Sequence, residues 1–267
     1  MPEGEKVIVV MPAYNAAETL EKTYKDLPGE VVDEIILVDD VSQDETVEIA
    51  HRLGLKVIIH VQNTGYGGNQ KTCYLEALKD GADIVVMLHP DYQYDSTLVP
   101  QLIQPIREGK ADLVLGSRIL GGGTLAGGMP LYKYLSNRFL TLAENLAFRK
   151  RLSEYHTGFR AYSRRFLATV PFLLNSDRFV FDSQILAQAV AFGFEITEIP
   201  VPTRYFEEAS SVGFKDGVIY GIQTLGVVCK YLLNKFGILR SDQFQKKLSE
   251  IVSRYHSPSI FRREMDA

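Results

Sequence analysis

The chain has 267 residues, of which 46% are hydrophobic and 23% charged, and these proportions exclude a disordered or fibrous protein. Lys and Arg number 29 against 33 Asp and Glu, so the formal charge is −4 and no overall basic field is available to hold nucleic acid. Any anion-binding site must therefore be local, and the length predicts one large core with appended elements.

Short apolar segments alternate with helical patterns in the first part of the chain. The segments are KVIVVMP, EIILVDD, KVIIHVQN, DIVVMLHP and DLVLGSR, and each is almost continuously apolar, as buried parallel strands are. Between them the apolar residues recur at helical spacing over residues 18–27, 44–53, 69–79 and 97–107. This alternation predicts an α/β protein with a mostly parallel sheet and helices on both faces.

The pattern changes after Arg118. Glycines between residues 121 and 128 predict a loop that is either a lid or a slack connection. The remaining predicted elements are a helix over 131–151, a turn over 155–160, a helix over 181–192, a strand over 195–201, a basic-tipped loop over 204–215 and an apolar helix over 217–239. Beyond residue 241 the polar sequence predicts a frayed tail, and we expect a domain boundary at residue 215.

A cytoplasmic location is expected from the cysteines and from the N-terminal residues. Cys73 and Cys229 have no metal-ligand spacing, which is typical of reduced thiols. The N-terminal stretch lacks the layout of a signal peptide. As a helix, residues 217–229 would extend about 20 Å, too short for the roughly 30 Å of a bilayer interior.

Polar residues collect where the predicted parallel strands end, which is where ligands bind in such sheets. His89, Asp91 and Gln93 occupy alternate positions after one strand, and their imidazole, carboxylate and amide groups suit Mn2+, or Mg2+ less readily. The alternative is a polar strand end with a capping Asp. Asp39 and Asp40 end another strand, and their mutual repulsion calls for a hydrogen-bond donor or a cation.

Two weaker signals point to phosphate. The segment from Asn63 to Lys71 includes Gly65 and precedes a helix, so its backbone can approach a diphosphate closely. Isolated cations lie in or next to loops at the same edge: Arg118, Lys133, Arg138, Arg160, Arg204 and Lys215. Each of these cations taken alone is more often a surface residue than a ligand.

In this order the motifs resemble those of family 2 inverting glycosyltransferases of GT-A fold. The motifs are PAYN at 12–15, VDDxSxDxT at 38–46, NxGxG at 63–67, HxDxQ at 89–93, GSR at 116–118, TGFR at 157–160 and EIPV at 198–201. The resemblance is strongest to the polyprenyl-phosphate sugar synthases, such as dolichol-phosphate mannosyltransferase. It departs from their pattern in His89, where an Asp is usual, in Ala16, and in Thr157, which replaces a Ser.

The resemblance implies a nucleotide-diphosphate sugar as donor and a role for each matching residue. Pro12, Tyr14 and Asp40 would hold the base and ribose, and His89, Asp91 and Gln93 the divalent metal. The phosphates would lie among Arg118, Lys133, Arg204 and Lys215, and Arg160, Arg204 and Lys215 would position the phosphate of a lipid acceptor.

A lipid phosphate needs no strong general base, because its oxygen is already an anion. If the acceptor is instead a sugar hydroxyl, Asp182 is the candidate base. A nucleotidyltransferase would carry a Gly-rich, basic loop after the first strand, where this chain has Pro12 to Asn15. A non-catalytic nucleotide-sugar-binding protein is favoured only by His89.

The helix over 217–239 carries apolar residues at three- and four-residue steps: Val218, Ile222, Leu225, Cys229, Leu232 and Phe236. This face either packs on the domain, pairs with a second copy of the chain, or lies on a membrane surface. For the last alternative, Lys230, Lys235 and Arg240 would meet anionic headgroups.

Overall fold

The computed structural model describes residues 4–122, 124, 128–202 and 213–252, and the strands among them form one seven-stranded sheet. The strands are β1 (Val7–Ala13), β2 (Glu34–Asp39), β3 (Lys56–Ile59), β4 (Ile84–Met87), β5 (Leu113–Ser117), β6 (Arg160–Ser163) and β7 (Ile196–Pro200). Their spatial order is β3-β2-β1-β4-β6-β5-β7, and every pairing is parallel except those of β6. The predicted α/β class with a mostly parallel sheet is confirmed.

The helices cover both faces of this sheet. They are α1 (Ala17–Lys25), α2 (Thr46–Arg52), α3 (Tyr66–Lys79), α4 (Val99–Arg107), α5 (Leu131–Phe148), α6 (Arg164–Thr169), α7 (Phe181–Ala191), α8 (Phe214–Lys235) and α9 (Leu248–Val252). Side chains alternate across β1, so that Ile8 and Val10 face the core under α3, α5 and α7, while Val9 and Met11 face α1, α2 and α4. Burial on both faces explains why the strands are continuously apolar.

The turn predicted over residues 155–160 is wrong at Arg160, which belongs to strand β6. Arg160 begins this strand, which lies antiparallel between β4 and β5 and pairs Val86 with Ala161 on one side and Val114 with Ala161 on the other. The strand has only four residues and begins with a charged side chain, so it lacks the long apolar run that marks the other strands.

The C-terminal elements add to the same core. Helix α8 packs against α5 and α7, and α9 packs against α6. Phe244, Leu248 and Val252 are buried in the core, so the frayed tail predicted from residue 241 is wrong over residues 241–252. Most of the predicted loop over 204–215, with Arg204, lies outside the described residues, as do positions 123 and 125–127 of the glycine-rich loop.

The apolar face predicted on the last helix is turned away from the domain. Ile222 is 67% exposed, Phe236 is 70% exposed and Cys229 is exposed, whereas Leu232 packs partly against the core. The face that packs on the domain instead carries Thr224, Val227, Val228 and Tyr231. No helix in the described part of the chain combines the length and apolarity needed to cross a bilayer.

Candidate functional site

A cavity of about 760 Å³ lies at the carboxyl ends of β1, β2 and β4 and extends between α5 and α8. Its lining includes most of the residues predicted for the site: Pro12, Tyr14, Asp40, Gly65, His89, Asp91, Gln93, Arg118, Lys133 and Asp182. Four predicted residues that the structure describes are not part of this lining: Lys71, Arg138, Arg160 and Lys215. Arg138 is exposed on α5 and donates to the carbonyl of Ser153. Lys71 pairs with Asp177, Arg160 is buried beneath Asp182, and Lys215 is exposed at the start of α8.

Asp40 anchors the loop that precedes α3. Its carboxylate accepts hydrogen bonds from the backbone N–H of Thr64 at 2.7 Å and of Gly65 at 2.9 Å, and lies 2.8 Å from Nδ1 of His60. Burial opposes ionisation, but the hydrogen bonds from Thr64, His60 and Gly65 outweigh it and lower the pKa of Asp40. The hydrogen-bond donors expected for the Asp39-Asp40 pair are thus groups of the protein itself.

The Asp40→Asn variant is expected to lower the free energy of unfolding at pH 7 by about 1–3 kcal/mol, because an amide cannot accept both backbone N–H groups. The pKa of Asp40 is lower in the folded chain, so the difference from wild type is present above the unfolded pKa of about 3.9 and shrinks as pH falls through the folded value. Denaturant titrations from pH 3 to 8 measure it. A pH-independent difference would contradict the assignment, and Glu21→Gln at an exposed pair is the control.

His89, Asp91 and Gln93 follow β4 and reach the cavity together. Burial lowers the pKa of His89 and raises that of Asp91, and the described residues form no salt bridge with the Asp91 carboxylate. A neutral imidazole beside a partly buried carboxylate without a cationic partner is a donor set that fits Mn2+ or Mg2+. The described residues hold no cluster of three His, Cys, Asp or Glu side chains, so a bound ion would also need oxygens from a diphosphate.

Tyr66 connects His89 to Asp182. Its hydroxyl donates to Oδ2 of Asp182 at 2.8 Å and lies 3.2 Å from Nε2 of His89, whose ring stacks on the Tyr66 ring. The hydroxyl hydrogen of Tyr66 points to Asp182, so the hydrogen bond between Tyr66 and His89 needs a hydrogen on the histidine. Nε2 of His89 therefore carries the ring hydrogen and donates it to the Tyr66 oxygen. This leaves Nδ1 of His89 as the nitrogen with a free lone pair.

Arg160 holds Asp182 from below. Nη1 of Arg160 lies 3.3 Å from Oδ1 of Asp182, and Gln70 donates to the same oxygen at 3.2 Å. Arg160 is 1% exposed, and its remaining donors bond to the carbonyls of Thr157 and Tyr155. The guanidinium is therefore bonded to protein groups, and its charge acts on the cavity residues His89 and Tyr220 as well as on Asp182.

Arg118 and Lys133 place two cations on the cavity wall. Nε of Arg118 donates to Oε1 of the fully buried Glu154 at 2.9 Å, and its Nη2 donates to the carbonyl of His156. Lys133 forms no salt bridge with the described residues, and its pKa is lowered by burial and by the charge of Arg118. Arg118 pairs with Glu154, and Lys133 adds a second positive charge beside it, an arrangement that suits an anion.

The Arg118→Lys variant is expected to lose about 1–3 kcal/mol of transition-state stabilisation, because an ammonium cannot contact Glu154 and the His156 carbonyl in the fork geometry of a guanidinium. Steady-state kinetics with a thermal melt of the same variant measure it. Arg138→Lys, at an exposed arginine of α5, is the matched control. Wild-type kinetics in Arg118→Lys would contradict a role for this side chain.

The part of the cavity between α5 and α8 is apolar and open to the surface. Four apolar side chains line the cavity and are also exposed: Phe139, which is 61% exposed, Val218, Ile222 and Leu225. Other exposed apolar side chains continue this surface along the two helices: Leu131, Leu135, Leu142, Leu146 and Ile219. An exposed apolar area of this extent marks an interaction surface.

Several residues in or directly behind the cavity wall carried no recognisable sequence signal. Three of them line the cavity, Tyr66, His156 and Tyr220, and two are buried behind it, Glu144 and Glu154. Glu144 is the exception that a pattern could have revealed, since it follows Leu140 and precedes Phe148 at four-residue steps on the buried face of α5. An acidic residue on an apolar helix face is rarely accidental.

This fold, with polar strand ends lining one cleft, defines an α/β protein of the nucleotide-binding kind. A family model described as glycosyl transferase family 2 matches residues 8–170. The chain is 30% identical over 224 residues to a UDP-N-acetylglucosamine–dolichyl-phosphate N-acetylglucosaminyltransferase of Methanococcus voltae, covering 78% of this chain and 89% of that one. It therefore belongs to glycosyltransferase family 2.

Two further similarities bear on the fold and the branch of the family. A dolichol-phosphate mannosyltransferase of Pyrococcus furiosus is 29% identical over 149 residues, covering 54% of this chain and 42% of that one. Glucosyl-3-phosphoglycerate synthase of Mycobacterium tuberculosis, solved with Mn2+, uridine diphosphate and phosphoglyceric acid, superposes with a TM-score of 0.66 at 21% identity, covering 89% and 81% of the two chains. The resemblance to family 2 and its GT-A fold is thus confirmed.

Proposed function

We propose that this glycosyltransferase moves a sugar, with inversion, from a nucleotide-diphosphate sugar to a polyprenyl phosphate of the dolichyl type. The observation that carries the proposal is the continuity of the cavity, which runs from the polar strand ends to an exposed apolar groove between α5 and α8. An acceptor with a charged head and a hydrocarbon tail matches both parts. The Methanococcus relative is named for a dolichyl-phosphate acceptor, which supports this choice.

In this proposal the donor occupies the strand ends. Pro12 and Tyr14 contact the base and ribose, and the loop that Asp40 anchors brings Gly65 to the diphosphate. His89, Asp91 and Gln93 would hold Mn2+ or Mg2+, which when bound stabilises the negative charge of the leaving diphosphate. Tyr66 keeps the ring of His89 oriented, and Arg160 keeps Asp182 in place beneath it.

The acceptor phosphate is proposed to bind near Arg118 and Lys133. An oxygen of the phosphate attacks the anomeric carbon, the bond from that carbon to the donor's β-phosphate breaks, and the nucleoside diphosphate leaves with the electron pair. No proton has to be removed from the acceptor, so no general base is required. The contribution of the chain is to orient the two phosphates and to balance their charge.

The apolar surface of α5 and α8 is proposed to lie on a membrane, where a polyprenyl phosphate is found. Lys230 and Lys235 are carried by the same helix as Ile222 and Phe236. Flotation with anionic vesicles at low salt tests this placement. Recovery of the protein only at the bottom of the gradient, together with a dimer in gel filtration, would favour a second copy of the chain on this face.

The Gly221→Leu variant is expected to lower kcat/KM for farnesyl phosphate at least about tenfold and to leave donor hydrolysis unchanged. Gly221 lines the groove, and a Cβ there meets only Leu140 at 3.8 Å, so a leucine fills the groove without displacing backbone. Gly226→Leu on the same helix adds the same side chain away from the cavity and is the matched control.

Transfer to a hydroxyl of a saccharide or of a small phosphorylated acceptor is the second candidate function. It is favoured by Asp182, a carboxylate that lines the cavity, and by the phosphoglycerate ligand of the Mycobacterium structure. Assays that offer farnesyl phosphate, 3-phosphoglycerate and free sugars with UDP- and GDP-sugars separate the two. Activity on 3-phosphoglycerate alone, retained in Gly221→Leu, would overturn the lipid-phosphate proposal.

A further inference from the structure

A second row of buried polar side chains leads into the cavity from α5. Glu144 is 0% exposed, and Nε2 of His156 lies 3.1 Å from its Oε2, although the ring is not aligned for a linear hydrogen bond. Nδ1 of His156 lies 2.8 Å from the hydroxyl of Tyr220 on α8. His156 and Tyr220 both line the cavity. None of these residues has a role in the transfer described above.

The hydrogen between His156 and Tyr220 can lie on either residue. Nδ1 of His156 accepts the hydroxyl hydrogen of Tyr220 or, when it carries a hydrogen itself, donates to the Tyr220 oxygen. In the second state the hydroxyl hydrogen of Tyr220 is free to point elsewhere. Glu144 faces the other ring nitrogen, Nε2, and neither Nε2 nor the carboxylate has a hydrogen-bond partner among the described residues.

Other charged and polar groups surround Tyr220. The charges of Asp182 on α7, Glu144 on α5 and Arg160 on β6 act on it, and Oγ of Ser183 lies 3.3 Å from its hydroxyl. Arg118 donates to the backbone carbonyl of His156. Burial and the charge of Asp182 raise the pKa of Tyr220 well above its ordinary value, so the phenol keeps its hydrogen.

We propose that Tyr220 donates a hydrogen bond to the phosphate of the acceptor, and that Glu144 and His156 are positioning residues that turn its hydroxyl into the cavity. This inference rests on the proposed function and deepens it. An entering phosphate gives the hydroxyl of Tyr220 an anionic acceptor in the cavity. With the hydrogen on Nδ1, the ring of His156 donates to the Tyr220 oxygen, and the Tyr220 hydrogen turns towards the anion.

Kinetics with farnesyl phosphate test the roles of the three residues. Tyr220→Phe is expected to raise the KM for farnesyl phosphate about tenfold while the KM for the sugar donor stays constant. His156→Gln should raise the KM for farnesyl phosphate in the same way and leave the KM for the donor unchanged, because the Tyr220 hydroxyl then loses the ring nitrogen that orients it. Glu144→Gln should resemble His156→Gln, and His51→Gln at an exposed site is the control.

A spectroscopic measurement on wild-type protein keeps the test independent of variant folding. The 15N resonance of Nδ1 in His156, assigned by comparison with His156→Gln, should move to the position of a nitrogen that carries a hydrogen when farnesyl phosphate is added. Unchanged resonances, or an unchanged acceptor KM in Tyr220→Phe, would overturn the inference while transfer to farnesyl phosphate continued. Absence of any transfer to farnesyl phosphate would instead overturn the proposed function.

Discussion

The Asp91→Asn variant is expected to lower kcat/KM for sugar transfer by about 10³-fold, the largest effect of any single change at the cavity. The reason is the environment of the carboxylate, which is partly buried, has a pKa raised by that burial and forms no salt bridge with the described residues. An amide at this position removes the negative charge that a divalent ion requires. Calorimetric titration of UDP and GDP, with and without Mn2+, measures the loss independently of turnover.

His89→Asp is the informative companion to Asp91→Asn. An all-oxygen site suits the harder ion, so this variant is expected to remain active and to shift its preference from Mn2+ towards Mg2+. Nucleotide binding that EDTA leaves unchanged, and that Asp91→Asn also leaves unchanged, would contradict the assignment of a metal to these residues.

Replacing Arg160 by Met is expected to lower the free energy of unfolding by about 3–5 kcal/mol, because it leaves the partly buried Asp182 carboxylate without its ion pair. The carbonyls of Thr157 and Tyr155 lose their donors in the same step. Activity should fall as well, since Asp182 orients Tyr66 and through it His89. Urea unfolding at pH 7 measures the stability change.

Lys25→Met provides the control for Arg160→Met. The Lys25 side chain is 67% exposed and its partner Glu21 is exposed as well, so the loss of this pair is expected to change the free energy of unfolding far less than Arg160→Met does. If the two substitutions lowered the free energy of unfolding equally, the buried pair of Arg160 and Asp182 would contribute no more to stability than an exposed pair.

The parallel part of the fold was predictable because its strands are buried on both faces and read as continuous apolar runs. The bounds of the predicted helices were correct to within a few residues, although α3 begins at Tyr66 and α8 ends at Lys235. The short helices α6 and α9 were not predicted. Strand β6 was missed because Arg160 and its neighbours carry no apolar run, and its place between β4 and β5 depends on contacts distant in sequence.

The candidate site was predictable where a motif places several groups at one strand end, as for His89 and Asp91. Isolated cations gave less information, because a charge in a loop does not reveal its partner: Lys71 pairs with Asp177, whereas Lys133 faces the cavity. His156 and Tyr220 meet only through the packing of α8 on α5, which no local pattern encodes.

The insertion of β6 also constrains how the chain reaches its native state. While residues 160–163 are absent from a growing nascent chain, β4 and β5 each present an edge of unpaired N–H and C=O groups. Successive βαβ units therefore cannot close the sheet one after another during synthesis, and closure waits for a pairing between segments far apart in sequence. Products truncated within α5 would keep both edges open, which makes them prone to aggregate through edge-to-edge strand pairing.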